Sequence, residues 1–107
     1  MIARLWRGSA ADAVKADAYA RHFTNTVSSE LKELSGHRGA WLLRREIGAR
    51  TEFIALTLWE SRQSIEAFTG PDISKSIVEP EGRAALQEFD DFASHYDVAF
   101  ASAYTSK

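Results

Sequence analysis

Three histidines carry all the imidazole in this chain, at His22, His37 and His95. An imidazole changes charge near neutral pH and can serve as a general base. His22 stands in a helix-forming stretch about 100° around from Phe23 by helical geometry, which lets its ring reach the edge of a pocket. His95 stands at the entry to a strand-like tail. These two are the candidate catalytic residues; the plainer reading of each is a surface histidine. His37 falls in a loop and is expected to be solvated. The three are too scattered to match a metal-ligand spacing, so no metal is expected. Arg4 and Arg45 fall in strand-like segments, where a guanidinium can hold a carboxylate or phenolate. Arg45 is therefore a candidate ligand-binding residue, with pairing to Glu46 or Glu52 as the alternative. Trp59, Phe23, Phe68, Trp6 and Trp41 are the candidate pocket walls, each with a competing role in the core or at an interface. Cysteine is absent, which removes thiolate chemistry and Cys-bound metals. No phosphate loop, dinucleotide fingerprint or nucleophile elbow occurs, and no cofactor is expected.

The elements that position these groups centre on residues 53–59, Phe-Ile-Ala-Leu-Thr-Leu-Trp. Strand side chains alternate between two faces. Phe53, Ala55, Thr57 and Trp59 make one face, and Ile54, Leu56 and Leu58 make the other. Neither suits water, so the segment reads as a central strand covered on both sides. Residues 1–7 form an opening strand with Ile2, Arg4 and Trp6 on one face. Ser9 and Asp12 match a capping box, and Ala16, Ala20, Phe23, Val27, Leu31 and Leu34 repeat at helical spacing as far as Gly36. Residues 37–47 form a second strand, joined to the central one through a short loop at 48–50. Ser61 caps a second helix with Ile65 and Phe68 inward. Residues 72–78 suggest a short extra turn. Pro80 starts a third helix that carries Leu86, Phe89 and Phe92 inward. A last strand begins near His95, and residues 105–107 are expected to fray.

With 107 residues, 45% apolar and 26% charged, the chain is expected to be one globular domain over residues 1–107. A net charge of -2 without a basic stripe argues against nucleic acid as a partner. No apolar run reaches membrane-spanning length, and no signal peptide is seen. A cytoplasmic location is expected. The order strand, helix, strand, strand, helices, strand fits an α+β, ferredoxin-like split βαβ fold. Its antiparallel sheet has strand order 4-1-3-2, with the helices on one face. The opposite apolar face lacks a cover within the chain, so a homodimer packed sheet against sheet is expected.

Three stretches bear a family likeness. The opening Met-Ile-Ala-Arg-Leu-Trp-Arg-Gly at 1–8 is one. Leu56-Thr57-Leu58-Trp59-Glu60-Ser61, followed by Ile65-Glu66-Ala67-Phe68, is another. The tail, with Glu88-Phe89 and then His95-Tyr96-Asp97-Val98, is the third. Together they resemble the antibiotic biosynthesis monooxygenase (ABM)-like domains. The resemblance implies a dimeric α+β barrel, two ferredoxin-like sheets back to back. Some members of that family are cofactor-independent monooxygenases of aromatic polyketides, and others bind and degrade haem. The haem branch resembles this chain at Trp59 but departs elsewhere. It carries an Asn in its first strand, whereas Asn25 is the only Asn here. It carries an iron-binding His after the third strand, whereas no His lies between Trp59 and His95.

Two functions follow and stay open at this point. One is a monooxygenase-like protein in which the anion of a small aromatic or quinol-type substrate itself reduces oxygen, with His22 or His95 as base. The other is a non-catalytic dimeric barrel that binds a small apolar ligand or acts in a stress response. Haem binding or degradation ranks third.

Overall fold

The computed structural model describes residues 1–102. The chain begins with β1 (Ile2–Ala10). A helical rod follows, made of α1 (Ala13–His22), a π-helical turn (Phe23–Val27) and α2 (Ser28–Lys32). Next come β2 (His37–Ile47), β3 (Arg50–Trp59) and α3 (Arg62–Thr69). The chain finishes with α4 (Pro80–Ala85), β4 (Glu88–Phe89) and β5 (Ser94–Asp97). The sheet runs β2-β3-β1, and both β4 and β5 pair with the outer edge of β1. All pairings are antiparallel. This is the expected 4-1-3-2 order, with the helices on one face.

Phe53, Thr51 and Trp59 are fully buried on the helix side of β3. The residues between them, Ile54, Leu56 and Leu58, lie half-buried on the opposite face. The β2–β3 connection needs only Gly48 and Ala49. Gly48 has φ +61, and among the described residues only glycines take positive φ, which suits a two-residue turn with glycine first. Gly36 ends the rod at φ +89 and lies so close to α3 that a Cβ there would come within 2.4 Å of the Ser64 Cβ. Its carbonyl accepts a 2.8 Å hydrogen bond from the Glu60 amide. Ser61 caps α3 in a reciprocal capping box with Ser64, and Pro80 occupies the first turn of α4, both as expected.

Two local expectations fail. Ser9 is not the first helix cap. Register with Thr51 carries β1 through Ala10, so the cap moves to Asp12, whose side chain accepts from the Lys15 amide at 2.9 Å. The third helix does not reach Phe92. It stops at Ala85, and Leu86 is already extended. Gln87 and Asp90 donate their amides to the Ser9 and Arg7 carbonyls. The open edge of β1 thus captures the segment as a strand, and Phe92 is left 66% exposed. The notion of a frayed end at 105–107 lies outside the described residues.

The core divides in two. One cluster gathers Trp6, Tyr19, Phe23, Phe53 and Leu86 among others. The second gathers Ile2, Leu31, Trp59 and Ile65. Between them the sheet presents a row fixed by register: Ala40 opposite Thr57, Thr57 opposite Arg4, and Arg4 opposite His95. A polar seam therefore separates two apolar clusters beneath the helices.

Candidate ligand cavity between helices and sheet

A cavity of about 40 Å³ lies over that seam. Its floor is Arg4, Trp6, Ala55 and Thr57 from the sheet. Its sides are Tyr19, His22, Phe23, Val27 and Leu31 from the helical rod, with Phe68 from α3. Ile77, Val78 and Glu79 close it from the strap at residues 71–79, and Gly82 closes it from α4. The π-helical turn begins at Phe23, next to His22. An inserted residue of this kind re-aims neighbouring side chains and recurs at functional sites. Gly82 permits close approach of α4: a Cβ there would stand 3.5 Å from both His22 and Tyr19.

The strap is fastened from below by two β1 side chains. Arg4 Nη2 donates to the Lys75 carbonyl at 2.8 Å. Trp6 Nε1 donates to Ser76 Oγ at 2.8 Å and to the Asp90 carbonyl at 3.0 Å. The Ser76 and Ala93 amides complete the fastening, donating to Asp91 and Ser74 carbonyls. The expected short turn within 72–78 forms at its start, where the Lys75 amide donates to the Asp72 carbonyl at 3.2 Å, and the strap runs on from it.

His22 is buried and lies between two carboxylates. Its Nδ1 is 3.1 Å from Glu81 Oε2 and its Nε2 is 3.2 Å from Glu79 Oε1. The second approach is off-line, and Glu79 Oε1 is buried without a hydrogen-bond donor among the described residues. A hydrogen bond shared with Glu79, with burial and the Glu79 charge adding to it, holds the exposed Glu30 carboxyl above its ordinary range. Burial pushes the Tyr19 hydroxyl far above the usual phenol range, so it stays a neutral wall. Burial also lowers Arg4, to about 10.

The sequence-derived candidates separate into two groups. Trp6, His22, Phe23 and Phe68 converge on the cavity, joined by Arg4. Trp59 stands behind them, fully buried, with its Nε1 donating to Thr57 Oγ1 at 2.9 Å and its ring stacked 6.0 Å from Phe68. His95 faces the same side as Arg4 but does not line the cavity. Its Nε2 is buried and has no hydrogen-bond partner among the described residues. Burial, then the charges of Arg4 and Arg62, lowers its basicity. Trp41 and Arg45 lie on the opposite sheet face. Trp41 is 48% exposed, and Arg45 pairs with Glu52 at 2.8 Å, the plainer of its two readings. His37 is half-buried against Trp59, ring centroids 5.2 Å apart, where a solvated loop residue was expected. Tyr19 and Glu79 were missed. Tyr19 lies between the stripe positions Ala16, Ala20 and Phe23, and Glu79 precedes a proline in an irregular stretch. A helix-face count that included Tyr19 would have found the first. Nothing local marks the second.

The family model described as antibiotic biosynthesis monooxygenase matches residues 9–80. The sequence finds no match among curated proteins. Among solved structures, the chain resembles a candidate antibiotic biosynthesis monooxygenase from Bacillus cereus at TM-score 0.67 and 12% identity, over 99% of this chain and 98% of that one. It resembles a Streptomyces coelicolor monooxygenase solved with nanaomycin D at TM-score 0.64 and 15% identity, over 97% and 92%. It also resembles a haem degrader from Mycobacterium tuberculosis, solved with two haems in its active site. There the TM-score is 0.64 and the identity 16%, over 96% and 100%.

Proposed function

The chain belongs to the antibiotic biosynthesis monooxygenase family, and from that premise we propose that it is a cofactor-independent monooxygenase-like protein acting on a small aromatic or quinol-type substrate. The observation that carries this reading is the cavity over the seam, where aromatic walls converge with a buried His22 backed by two carboxylates. Apolar walls with a few placed polar groups suit an aromatic ring. His22 takes the substrate proton on Nε2, whose approach to Glu79 is not a hydrogen bond, while Nδ1–H donates to Glu81. His95 is the second candidate base. For an anthrone-type ring the net change is CH2 + O2 → C=O + H2O. The substrate anion supplies the electrons, one oxygen atom stays on carbon, and the other leaves as water.

The active form in this reading is a homodimer packed sheet against sheet. The face away from the helices exposes Trp41, Leu43 and Tyr96 around half-buried Leu5, Ile54, Leu56 and Leu58. Such a patch favours a second copy. The protein acts as one domain in the cytoplasm, without nucleic acid or membrane as partner. No helix among the described residues is long and apolar enough to cross a membrane.

Haem is a poor fit. α3 (Arg62–Thr69) contains no histidine and β1 no asparagine.

Oxygen uptake with a panel of hydroquinones and anthrone-type phenols tests the reading. Uptake with at least one substrate, falling about 10²–10⁴-fold in His22→Ala, is expected. No uptake across the panel would overturn it. The apolar part of the lining, with Phe23, Val27, Leu31 and Phe68, also suits a second reading, a non-catalytic binder of a small apolar ligand. Cavities that admit benzene measure about 150 Å³, so the strap must yield before a ring can enter. Ligand binding without oxygen uptake would establish that alternative.

A further inference from the structure

Arg4 is the anomaly of the core. It is 6% exposed, and on β1 it stands between Ile2 and Trp6, one from each apolar cluster. Among the described residues it has no carboxylate partner. Its one hydrogen bond goes to the neutral carbonyl of Lys75, and its Nε is buried and unsatisfied. The ring of Phe68 lies 5.5 Å from its guanidinium carbon. Its sheet neighbours offer no negative charge: Thr57 on one side and His95 on the other. The carboxylate in the cavity wall, Glu79, is turned toward His22 and Glu30. Buried guanidinium groups ordinarily hold a carboxylate or phosphate. One left with a carbonyl and an idle N–H is costly to the fold, and it lies in the floor of the cavity.

We propose that Arg4 is an anion subsite of this cavity, taking the carboxylate or phenolate of an aromatic ligand whose ring packs against Phe68 and Trp6. The inference rests on the cavity being the ligand site, as in the proposed function, but not on any oxygen chemistry. The guanidinium fork suits a planar, two-oxygen anion. An anion there competes with the Lys75 carbonyl for Nη2. Ligand entry thus loosens the same strap that must move to enlarge the cavity, and a neutral ring of equal size gains no such exchange.

Benzoate and benzamide are near-isosteric and differ in charge. Calorimetric titration of the full chain is expected to show benzoate binding about ten-fold or more tightly, the worth of one charge-assisted hydrogen bond. In Arg4→Met the preference is expected to vanish while benzamide binding persists. Arg4→Lys keeps the charge without the fork and is expected to retain part of it. Repeating the titration with 4-nitrophenol below and above its own ionisation separates phenolate from carboxylate recognition. The wild-type comparison needs no variant to fold. Benzamide binding as tightly as benzoate, no binding of benzoate at millimolar concentration, or an Arg4→Met protein that keeps the preference would each overturn the assignment. A retained preference without oxygen uptake would leave the subsite standing and defeat the oxygenase reading alone.

Discussion

Trp59→Ala separates a structural tryptophan from a binding-site wall. The Trp59 side chain has no exposed surface and packs with Ile2, Leu31 and Ile65 in the second cluster. Phe68 stacks on it, and His37 meets it edge-on. Truncating a buried tryptophan to alanine costs about 3–5 kcal/mol through lost transfer energy and the cavity left behind. The Thr57 hydroxyl also loses its indole donor, an added cost of about 1 kcal/mol. Small domains have only about 5–15 kcal/mol in total, so the melting temperature is expected to fall by roughly 15–30 °C. Trp59→Phe keeps a ring against Phe68 and loses the hydrogen bond, for an expected cost of about 1–2 kcal/mol. Urea unfolding followed by circular dichroism at one fixed protein concentration measures both, since dimerisation would make stability concentration-dependent. If Trp59→Ala loses less than about 1 kcal/mol, far below the cost of truncating a packed tryptophan, the second cluster is not packed as described. Trp59 would then belong to the cavity wall.

Stability is expected to fall as pH drops from about 7 toward 5, the range just below the ordinary histidine pKa. Burial lowers the basicity of both His37 and His95 in the folded chain, so the unfolded state takes up protons first. A His37→Asn, His95→Asn double variant should flatten that slope in pH-dependent urea unfolding, and an unchanged slope would refute the assignment. Gly36→Ala is expected to cost about 1–3 kcal/mol from the left-handed backbone alone, and more from the clash with Ser64; a neutral thermal shift would contradict the close approach of rod and α3. Leu56→Glu places a charge at the middle of the open sheet face. Light scattering is expected to show a dimer for the natural chain and a monomer for the variant, and a natural chain that is monomeric at micromolar concentration would refute the sheet-to-sheet dimer.

What was legible in the sequence depended on the range of the forces involved. Residues 53–59 read as a central strand because their apolar character on both faces is a local fact, and the structure extends that strand only to Arg50–Trp59. The helical stripe, Gly36, Ser61 and Pro80 are likewise signals written within a turn or two. The segment after Ala85 was not legible. Leu86, Phe89 and Phe92 fit a helical spacing, and only the unpaired edge of β1, some eighty residues away in sequence, makes them strand and loop. Site residues followed the same division. Trp6, Phe23 and Phe68 announced themselves as apolar residues on inward faces. Arg4 also stood on an inward face, as a strand guanidinium able to hold a carboxylate or phenolate. Its lack of an acidic neighbour is a property of the assembled seam, which no window of sequence contains.

The chain has one tryptophan in each of three places: Trp6 in the cavity floor, Trp59 behind Phe68, and Trp41 on the opposite sheet face. Nitrogen–proton NMR of the three indoles during titration with benzoate therefore reads out directly where an aromatic ligand binds. The Trp6 signal is expected to move most, because its N–H is bound to Ser76 in the strap, while Trp41 stays in place. A titration that moves Trp41 and leaves Trp6 unchanged would place the ligand on the wrong side of the sheet and contradict the cavity as the site.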